Sequence, residues 1–188
     1  MATFHMEKIS TPLDGAFLIR PPLFEDNRGS FVKTFHRDQF ANFGVEPIFH
    51  EEFYSTSHVG VIRGMHFQVP PKSHAKYVCC LAGVVRDVIL DLRVESRTYG
   101  KCFSVELSAD NRLGMYIPAG LAHGFLSLTP GSLMLYKTTA TYSPEVDAGI
   151  SWDSFGFEWG IANPLISRRD AMFPRLADFV SPFVRVER

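Results

Sequence analysis

The sequence predicts an all-β protein, built as a barrel of two β-sheets with a few short helices. Short runs of β-prone residues alternate with turn signals at near-regular spacing, which is typical of a sandwich or barrel. The composition agrees, because 17 Phe residues occur among turns that use 12 Pro and 14 Gly. A chain of 188 residues suits one domain. We predict a single domain over 1–188, with an N-terminal arm at 1–16 and a C-terminal tail at 176–188.

The predicted strands lie, in chain order, in AFLIRPPLF, SFVKTFH, IFHEEFYSTSH, VIRGMHF, KYVCCLAGVVRDVILDLR, KCFSVELS, GMYIP, HGFLSLT and SLMLYKTTATY. Turn signals such as EDNRGS, QVPPKSH and TPGS separate them. In GVVRDVILDLR, the polar residues Arg86, Asp87 and Asp91 interrupt an apolar run, as expected of a strand with one partly polar face. RDQFANFG predicts one short helix, and a second is predicted around 168–173 in an otherwise irregular C-terminal third.

Composition and charge argue against several classes of function. A formal net charge of -1 provides no basic surface for a nucleic-acid backbone. No apolar run is long enough to span a bilayer, and MATFHMEKIS lacks the features of a signal peptide. The cysteines, Cys79, Cys80 and Cys102, are odd in number and irregularly spaced, so we interpret them as apolar strand residues. We therefore expect a cytoplasmic protein that binds neither nucleic acid nor membrane.

The segment IPAGLAHGF raises the question of a metal site. It contains PxGxxH, ending at His123, which resembles the second motif of the cupins, small double-sheet β-barrels. In metal-binding cupins, an HxH pair and a Glu from an earlier motif join this histidine. That motif would fall in GVIRGMHFQ, but His66 there is followed by Phe and Gln, so HxH is absent. Two imidazoles are too few for zinc or iron, and we predict a cupin-type jelly-roll barrel without a metal.

Polar side chains nevertheless recur in the predicted barrel strands. Arg63, Lys76, His123 and Tyr136 all lie in β-prone segments that would line one barrel. Several polar groups facing one interior cost several kcal/mol unless they pair with one another or meet a ligand. If these strands converge, the sequence predicts a polar binding site inside the barrel.

Eight blocks carry a resemblance to a known family: EDNRGSFVKTF, GVIRGMHFQ, DVILDLR, SRTYGK, ELSADN, YIPAGLAHGF, LYKTTATYSPEVDAGISWD and NPLISRRD. In this order they resemble the dTDP-4-dehydrorhamnose 3,5-epimerase family of cupin-fold nucleotide-sugar epimerases. The resemblance runs from about Phe17 to Arg175. It implies an enzyme of the isomerase class whose substrate is a nucleoside diphosphate-linked 4-keto sugar and which needs no cofactor.

The resemblance implies four catalytic residues. His66 matches the catalytic base, and Asp170 matches the carboxylate that orients it. Tyr136 matches the acid proposed for the opposite face of the sugar, and Lys76 matches the lysine near the substrate ketone.

The resemblance also implies residues that bind substrate. Arg63 matches an arginine at the substrate phosphates, and His123 matches the second histidine of the site. Arg28 matches a nucleotide-contacting arginine that can come from the neighbouring subunit. Tyr142 lies where the family stacks an aromatic ring on the base, and Arg169 stands where a lysine is usual.

These residue types suit epimerisation beside a ketone. The hydrogens at C3 and C5 are alpha to the C4 carbonyl, so removing one gives an enolate. An imidazole that titrates near neutral pH can take this proton, and a carboxylate on its other nitrogen fixes the tautomer. A lysine stabilises the charge on O4, and a tyrosine returns a proton to the other face. This chemistry requires neither a metal nor a redox cofactor.

One segment departs from the family pattern. Members that use thymidine commonly carry Gln-Asp-Asn before the strand with the catalytic arginine, whereas this chain has Glu51, Glu52 and Phe53 there. Two carboxylates and a phenyl ring cannot make the same amide contacts. We therefore predict a nucleotide preference other than thymidine, such as cytidine or guanosine; a changed sugar, such as a longer-chain 4-keto sugar, is equally open.

Alternatives remain open on sequence alone. The enzyme could invert C3 only, on a CDP- or GDP-linked 4-keto sugar. The chain could be a non-catalytic sugar-binding cupin, or a metal-dependent cupin isomerase or dioxygenase. We expect a homodimer because a barrel edge strand is best covered by pairing, with AFLIRPPLF as the candidate for strand exchange.

Overall fold

Two facing antiparallel sheets and a separate hairpin make up the protein. The computed structural model describes residues 4–45 and 48–184, so 1–3 of the predicted arm and 185–188 of the predicted tail lie outside the described residues. The six-stranded sheet has the order β1 (Glu7–Ser10), β2 (Phe17–Arg20), β10 (Gly114–Ile117), β7 (Lys76–Ala82), β12 (Ser132–Thr138) and β5 (Glu51–Ser57). The five-stranded sheet has the order β13 (Asp147–Gly149), β6 (Ile62–Gln68), β11 (Leu121–Ser127), β8 (Val84–Asp91) and β9 (Cys102–Ser108). The hairpin pairs β3 (Leu23–Asp26) with β4 (Gly29–Val32).

The structure confirms the predicted all-β barrel, and every predicted β-prone run contains a strand. AFLIRPPLF divides into β2 and β3 because Pro21 and Pro22 between them have no N–H to donate to a strand ladder. β1 lies inside the predicted N-terminal arm and pairs with β2, which pairs on its other side with β10. Both edges of β2 are therefore paired within one chain, and the exchange predicted for AFLIRPPLF stays a prediction.

Side chains alternate across each strand, and this alternation directs polar residues into the space between the sheets. Met134, Tyr136 and Thr138 are buried on one face of β12, whereas the residues between them are half-buried. By the same two-residue period, Lys76 shares a face of β7 with the core residue Val78. The core between the sheets contains Leu18, Val78, Cys80, Val85, Ile89, Leu107, Met115, Ile117, Leu121, Phe125 and Met134.

Helix and coil cover the outer faces of the two sheets. The predicted helix is present as α1 (Arg37–Asn42), and its buried residue Phe40 packs on the six-stranded sheet. The C-terminal third is irregular, as predicted, and packs Trp159 and Phe183 on the five-stranded sheet. The second predicted helix is a single 3₁₀ turn at Asp170–Met172. Among the described residues, no helix has the length and apolar character needed to cross a membrane.

Glycines let β6 approach β11 closely. A Cβ atom on Gly64 would lie 2.5 Å from the Cα of Gly124, and Gly64 has a φ of 133°, which side chains rarely adopt. His66 and His123 are direct partners in the register of the same two strands. This close backbone contact therefore sets the spacing between the two histidines of the predicted site.

Candidate active site

A cavity of about 340 Å³ opens between the sheets. This volume is near the lower end of the range for small-molecule sites, about 300–1,000 Å³. Nine residues predicted for the site line it: Glu51, Phe53, Arg63, His66, Lys76, His123, Tyr136, Tyr142 and Arg169. The expected convergence of Arg63, Lys76, His123 and Tyr136 in one barrel interior is thus present. The other two predicted residues, Asp170 and Arg28, do not line the cavity.

Asp170 lies behind His66 and bonds to it. The Nε2 of His66 is 2.9 Å from Oδ1 of Asp170, and the backbone N–H of Gly64 donates to Oδ2 at 3.2 Å. Because an ionised carboxylate only accepts, Nε2–H is the donor and Nδ1 carries the lone pair of the neutral ring. The ring of Phe173 packs edge-on against His66. It fits there because Gly149 on β13 has no side chain, and a Cβ would lie 2.3 Å from the Phe173 ring.

The surroundings keep His66 neutral and Asp170 charged. Burial lowers the pKa of His66 below its ordinary value of 6.5; the carboxylate of Asp170 opposes this shift, while Lys76 and Arg169 add to it. Burial alone would raise the pKa of Asp170, but hydrogen bonds from His66, Gly64 and Ser167 outweigh it and the pKa is lowered. At neutral pH the pair is therefore an uncharged imidazole held by a carboxylate, which is the state a general base requires.

His123 forms a second histidine–carboxylate pair, which the sequence did not indicate. Its Nε2 lies 2.7 Å from Oδ2 of Asp87 on β8, and both side chains are buried. The other carboxylate oxygen, Oδ1, has no hydrogen-bond partner among the described residues. Within residues 4–45 and 48–184, no three His, Cys, Asp or Glu side chains are grouped to hold a metal ion.

Lys76 supplies a positive charge to the cavity. Its Nζ donates to the backbone carbonyl of His66 at 3.0 Å, so the ammonium group lies beside the candidate base. Burial lowers the pKa of Lys76 to about 8, and the like charge of Arg169 adds to this shift, while Asp147 and Asp87 oppose it. At neutral pH most of the lysine is still protonated and can stabilise an oxyanion.

Tyr136 is held on three sides. Phe53, its cross-strand partner on β5, stacks on it with 4.7 Å between ring centroids and 11° between planes. His123 lies edge-on to the ring at 6.2 Å between centroids, and the hydroxyl is 3.1 Å from Oγ of Ser55. Burial raises the pKa of Tyr136, although the hydrogen bond with Ser55 opposes this. The phenol is therefore protonated at neutral pH and has a proton to give.

Comparison with known proteins places this chain in a family. Residues 10–178 match the protein family described as dTDP-4-dehydrorhamnose 3,5-epimerase. The chain belongs to this family. Members are isomerase-class epimerases, and this chain is an enzyme of that class.

Relatives cover nearly the whole epimerase. The dTDP-4-dehydrorhamnose 3,5-epimerase of Methanothermobacter thermautotrophicus is 42% identical over 175 residues, covering 90% of this chain and 93% of that protein. The crystal structure of dTDP-6-deoxy-D-glucose-3,5-epimerase from Legionella pneumophila Philadelphia 1, in complex with dTDP-4-keto-L-rhamnose, has a TM-score of 0.92 and 32% identity, covering 98% of this chain and 100% of that one. A dTDP-4-dehydrorhamnose 3-epimerase of Streptomyces niveus is 35% identical over 161 residues, covering 84% of this chain and 78% of that protein.

The mouth of the cavity in this epimerase carries two carboxylates in different settings. Asp147 forms an ion pair with Arg169, with 2.9 Å between Oδ2 and Nη2. Glu51 accepts the backbone N–H of Tyr142 at 2.6 Å through Oε2. Glu52, the middle residue of the departing segment, points to the other face of β5 and bonds to Lys137.

Arg28 lies outside the cavity of its own chain. It is at the turn of the β3–β4 hairpin, where its guanidinium pairs with Asp26 and 86% of the side chain is exposed. The structure therefore brings together all the predicted site residues of one chain except this arginine.

Gln68 is a further residue that sequence reasoning did not single out. Its side chain is buried below the mouth of the cavity, where Oε1 accepts the N–H of Ser143 at 2.7 Å and Nε2 donates to the carbonyl of Lys72 at 2.9 Å. It thereby holds the segment that carries Tyr142. The only sequence signal for this role is its position two residues after His66, on the same face of β6.

Proposed function

We propose that the enzyme inverts C3, C5 or both centres of a nucleoside diphosphate-linked 4-keto deoxy sugar, through an enolate and without a metal. The observation that carries this proposal is the neutral His66, bonded to Asp170 and facing a cavity that also holds a lysine ammonium and a protonated tyrosine. These are the parts that proton removal beside a ketone requires, namely a base, a charge for the oxyanion and a second proton donor.

In the first step, Nδ1 of His66 takes the hydrogen from the carbon alpha to the C4 ketone. The electron pair of the broken C–H bond is delocalised over the alpha carbon, C4 and O4, which gives an enolate. His66 becomes an imidazolium. Asp170 stabilises this cation through the hydrogen bond to Nε2. Lys76 stabilises the negative charge on O4.

In the second step, the hydroxyl of Tyr136 donates its proton to the same carbon from the opposite face. The carbon is inverted, the ketone is restored, and the tyrosinate and the imidazolium then regain their starting states by exchange with solvent. One proton leaves the sugar and one returns, so atoms and charge balance. The proton that returns derives from solvent, which gives the reaction a measurable label.

Deuterium exchange tests this function. In D₂O, the enzyme is expected to place deuterium at C3, C5 or both in at least one 4-keto-6-deoxy sugar linked to dTDP, CDP or GDP. NMR measures the deuterium at each carbon. The position of the label also distinguishes a C3-only enzyme from one that acts at both centres. A protein that binds such sugars but exchanges no carbon-bound hydrogen would instead be the non-catalytic sugar-binding cupin.

We also propose a homodimer in which the β3–β4 hairpin of one subunit contributes Arg28 to the cavity of the other. The hairpin forms a sheet of its own, and Phe31 on it is 58% exposed. β5, which lines the cavity, is an edge strand of the six-stranded sheet and has an open side that a second copy can cover. We further propose that the enzyme is cytoplasmic, because Cys79, Cys80 and Cys102 are all free thiols.

Mixing two inactive variants tests the shared site. Arg28→Ala and His66→Asn subunits, co-expressed in equal amounts, should regain about a quarter of the wild-type activity, because about half of the dimers are mixed and each mixed dimer has one intact site out of two. Each variant alone should be impaired, and sedimentation should report a dimer. A monomer in sedimentation, a fully active Arg28→Ala variant or a mixture without recovery would each contradict the shared site.

A further inference from the structure

The mouth of the cavity offers a platform for a planar ring. The side chain of Tyr142 is 57% exposed, and it lines the cavity beside Glu51 and Phe53. Its backbone N–H bonds to Glu51, and its hydroxyl lies 3.5 Å from Oδ2 of Asp147, so the residue is held at both ends. Exposed aromatic rings fixed in this way are stacking surfaces for nucleobases. A base stacked on Tyr142 would lie within reach of the carboxylate of Glu51.

Glu51 has a carboxylate oxygen at the mouth of the cavity that accepts no hydrogen bond from the described residues. Among the described residues it forms no ion pair, whereas Asp147 is paired with Arg169 and Glu52 with Lys137. Oε2 accepts the N–H of Tyr142, and Oε1 has no hydrogen-bond partner within the described part of the chain. An ionised carboxylate accepts hydrogen bonds and donates none. The ligand atom that meets it must therefore be a donor.

The nucleobases differ in what they can offer a carboxylate. Guanine, cytosine and adenine each carry an exocyclic amino group, and guanine has a ring N–H next to it. Thymine and uracil have no amino group; their one ring donor on this edge, N3–H, lies between two carbonyl oxygens that a carboxylate repels. We propose that Glu51 selects a nucleotide sugar whose base carries an exocyclic amino group and disfavours thymine and uracil. This inference rests on the proposed function, because it assigns the base of the same substrate.

Binding of nucleoside diphosphates to the wild-type enzyme tests the selection. Calorimetry with GDP, CDP, ADP, UDP and dTDP should show at least one of the first three binding about 10- to 100-fold more tightly than dTDP and UDP, the discrimination typical of a good polar contact to a base. The three amino-bearing diphosphates separately identify which base is used. Equal affinities across the panel, or a preference for dTDP or UDP, would overturn the selection.

A matched pair of variants assigns the effect to one residue. Glu51→Gln keeps the size and an acceptor for the N–H of Tyr142, but it adds a donor, so the preference should fall to about threefold or less. Glu52→Gln changes the adjacent carboxylate on the other face of β5, and the preference should stay unchanged. A Glu51→Gln enzyme with the wild-type preference would show that Glu51 does not read the base.

The same preparations separate this inference from the proposed function. Deuterium exchange on a dTDP-linked 4-keto sugar, together with tighter binding of dTDP, would leave the epimerase in place and overturn the role of Glu51. Amino-base selectivity in binding, without exchange on any sugar of the panel, would support the role of Glu51 and overturn the epimerase.

Discussion

Replacing His66 by asparagine is expected to lower deuterium incorporation from D₂O into the substrate by about 10²–10⁴-fold, the usual contribution of a general base. Asparagine is shorter than histidine and its amide has no basic nitrogen, while the backbone N–H of Gly64 still donates to Asp170. The buried carboxylate therefore keeps a partner, and the loss reports on proton abstraction and not on folding. The measurement is the initial rate of exchange by NMR, with substrate affinity and the urea unfolding midpoint determined alongside.

His58→Asn is the matched control, since His58 is exposed just beyond the end of β5 and does not line the cavity. This variant should exchange at the wild-type rate. A loss of about threefold or less in His66→Asn would be far smaller than that expected for removal of a general base. It would show that another group removes the proton.

Lys76→Gln has the second largest expected effect, a loss of about 10²–10³-fold in kcat, as for removal of one donor to a developing oxyanion. Glutamine keeps a hydrogen-bond donor near O4 but removes the charge. Lys137→Gln is its control, because Lys137 is on the opposite face of the neighbouring strand β12, where it bonds to Glu52. An unchanged kcat in Lys76→Gln would contradict the assignment.

The pKa shifts of His66 and Lys76 predict how the wild-type rate depends on pH. His66 must be neutral, and its pKa is lowered by burial, so the rate should rise as pH increases through a value below 6.5. Lys76 must be charged, and its pKa is lowered to about 8, so the rate should fall as pH increases through that value. Lys76→Arg keeps its charge over this range, and its residual activity should lack the alkaline decline. If the rate of Lys76→Arg still fell at alkaline pH, the decline would have to be assigned to the titration of another group.

The sequence was sufficient for the barrel because its strands carry clear local signals. Runs rich in Val, Ile, Phe and Tyr between Pro and Gly turns correspond to strands throughout the described chain. The two strands that were missed are β1 and β13. β1 reads EKIS at a sheet edge, is mostly exposed, and shows no apolar alternation; β13 has only three residues. Their pairing depends on tertiary contacts, which cannot be predicted from the sequence of a short polar segment.

The site was predictable only in part, for a related reason. Lys76, His123 and Tyr136 follow the two-residue period of their strands, so a barrel interior was the natural place for them. Asp87 looked like one polar residue among several on β8. Its bond to His123 depends on the register of β8 against β11, which a single sequence does not give. The same holds for Gln68, whose partners belong to two separate loops. The preference for a base other than thymidine stays a prediction.

The order in which this site becomes complete follows from the position of Asp170. His66 and its carboxylate are 104 residues apart, and all the described strands have already ended at Gly149 when Asp170 is reached. A growing chain on the ribosome can therefore hold every strand of the barrel while its imidazole still lacks an anchor. The catalytic pair is complete only when the irregular segment that carries Asp170 packs against the sheet. The active site therefore forms late in the synthesis of the chain.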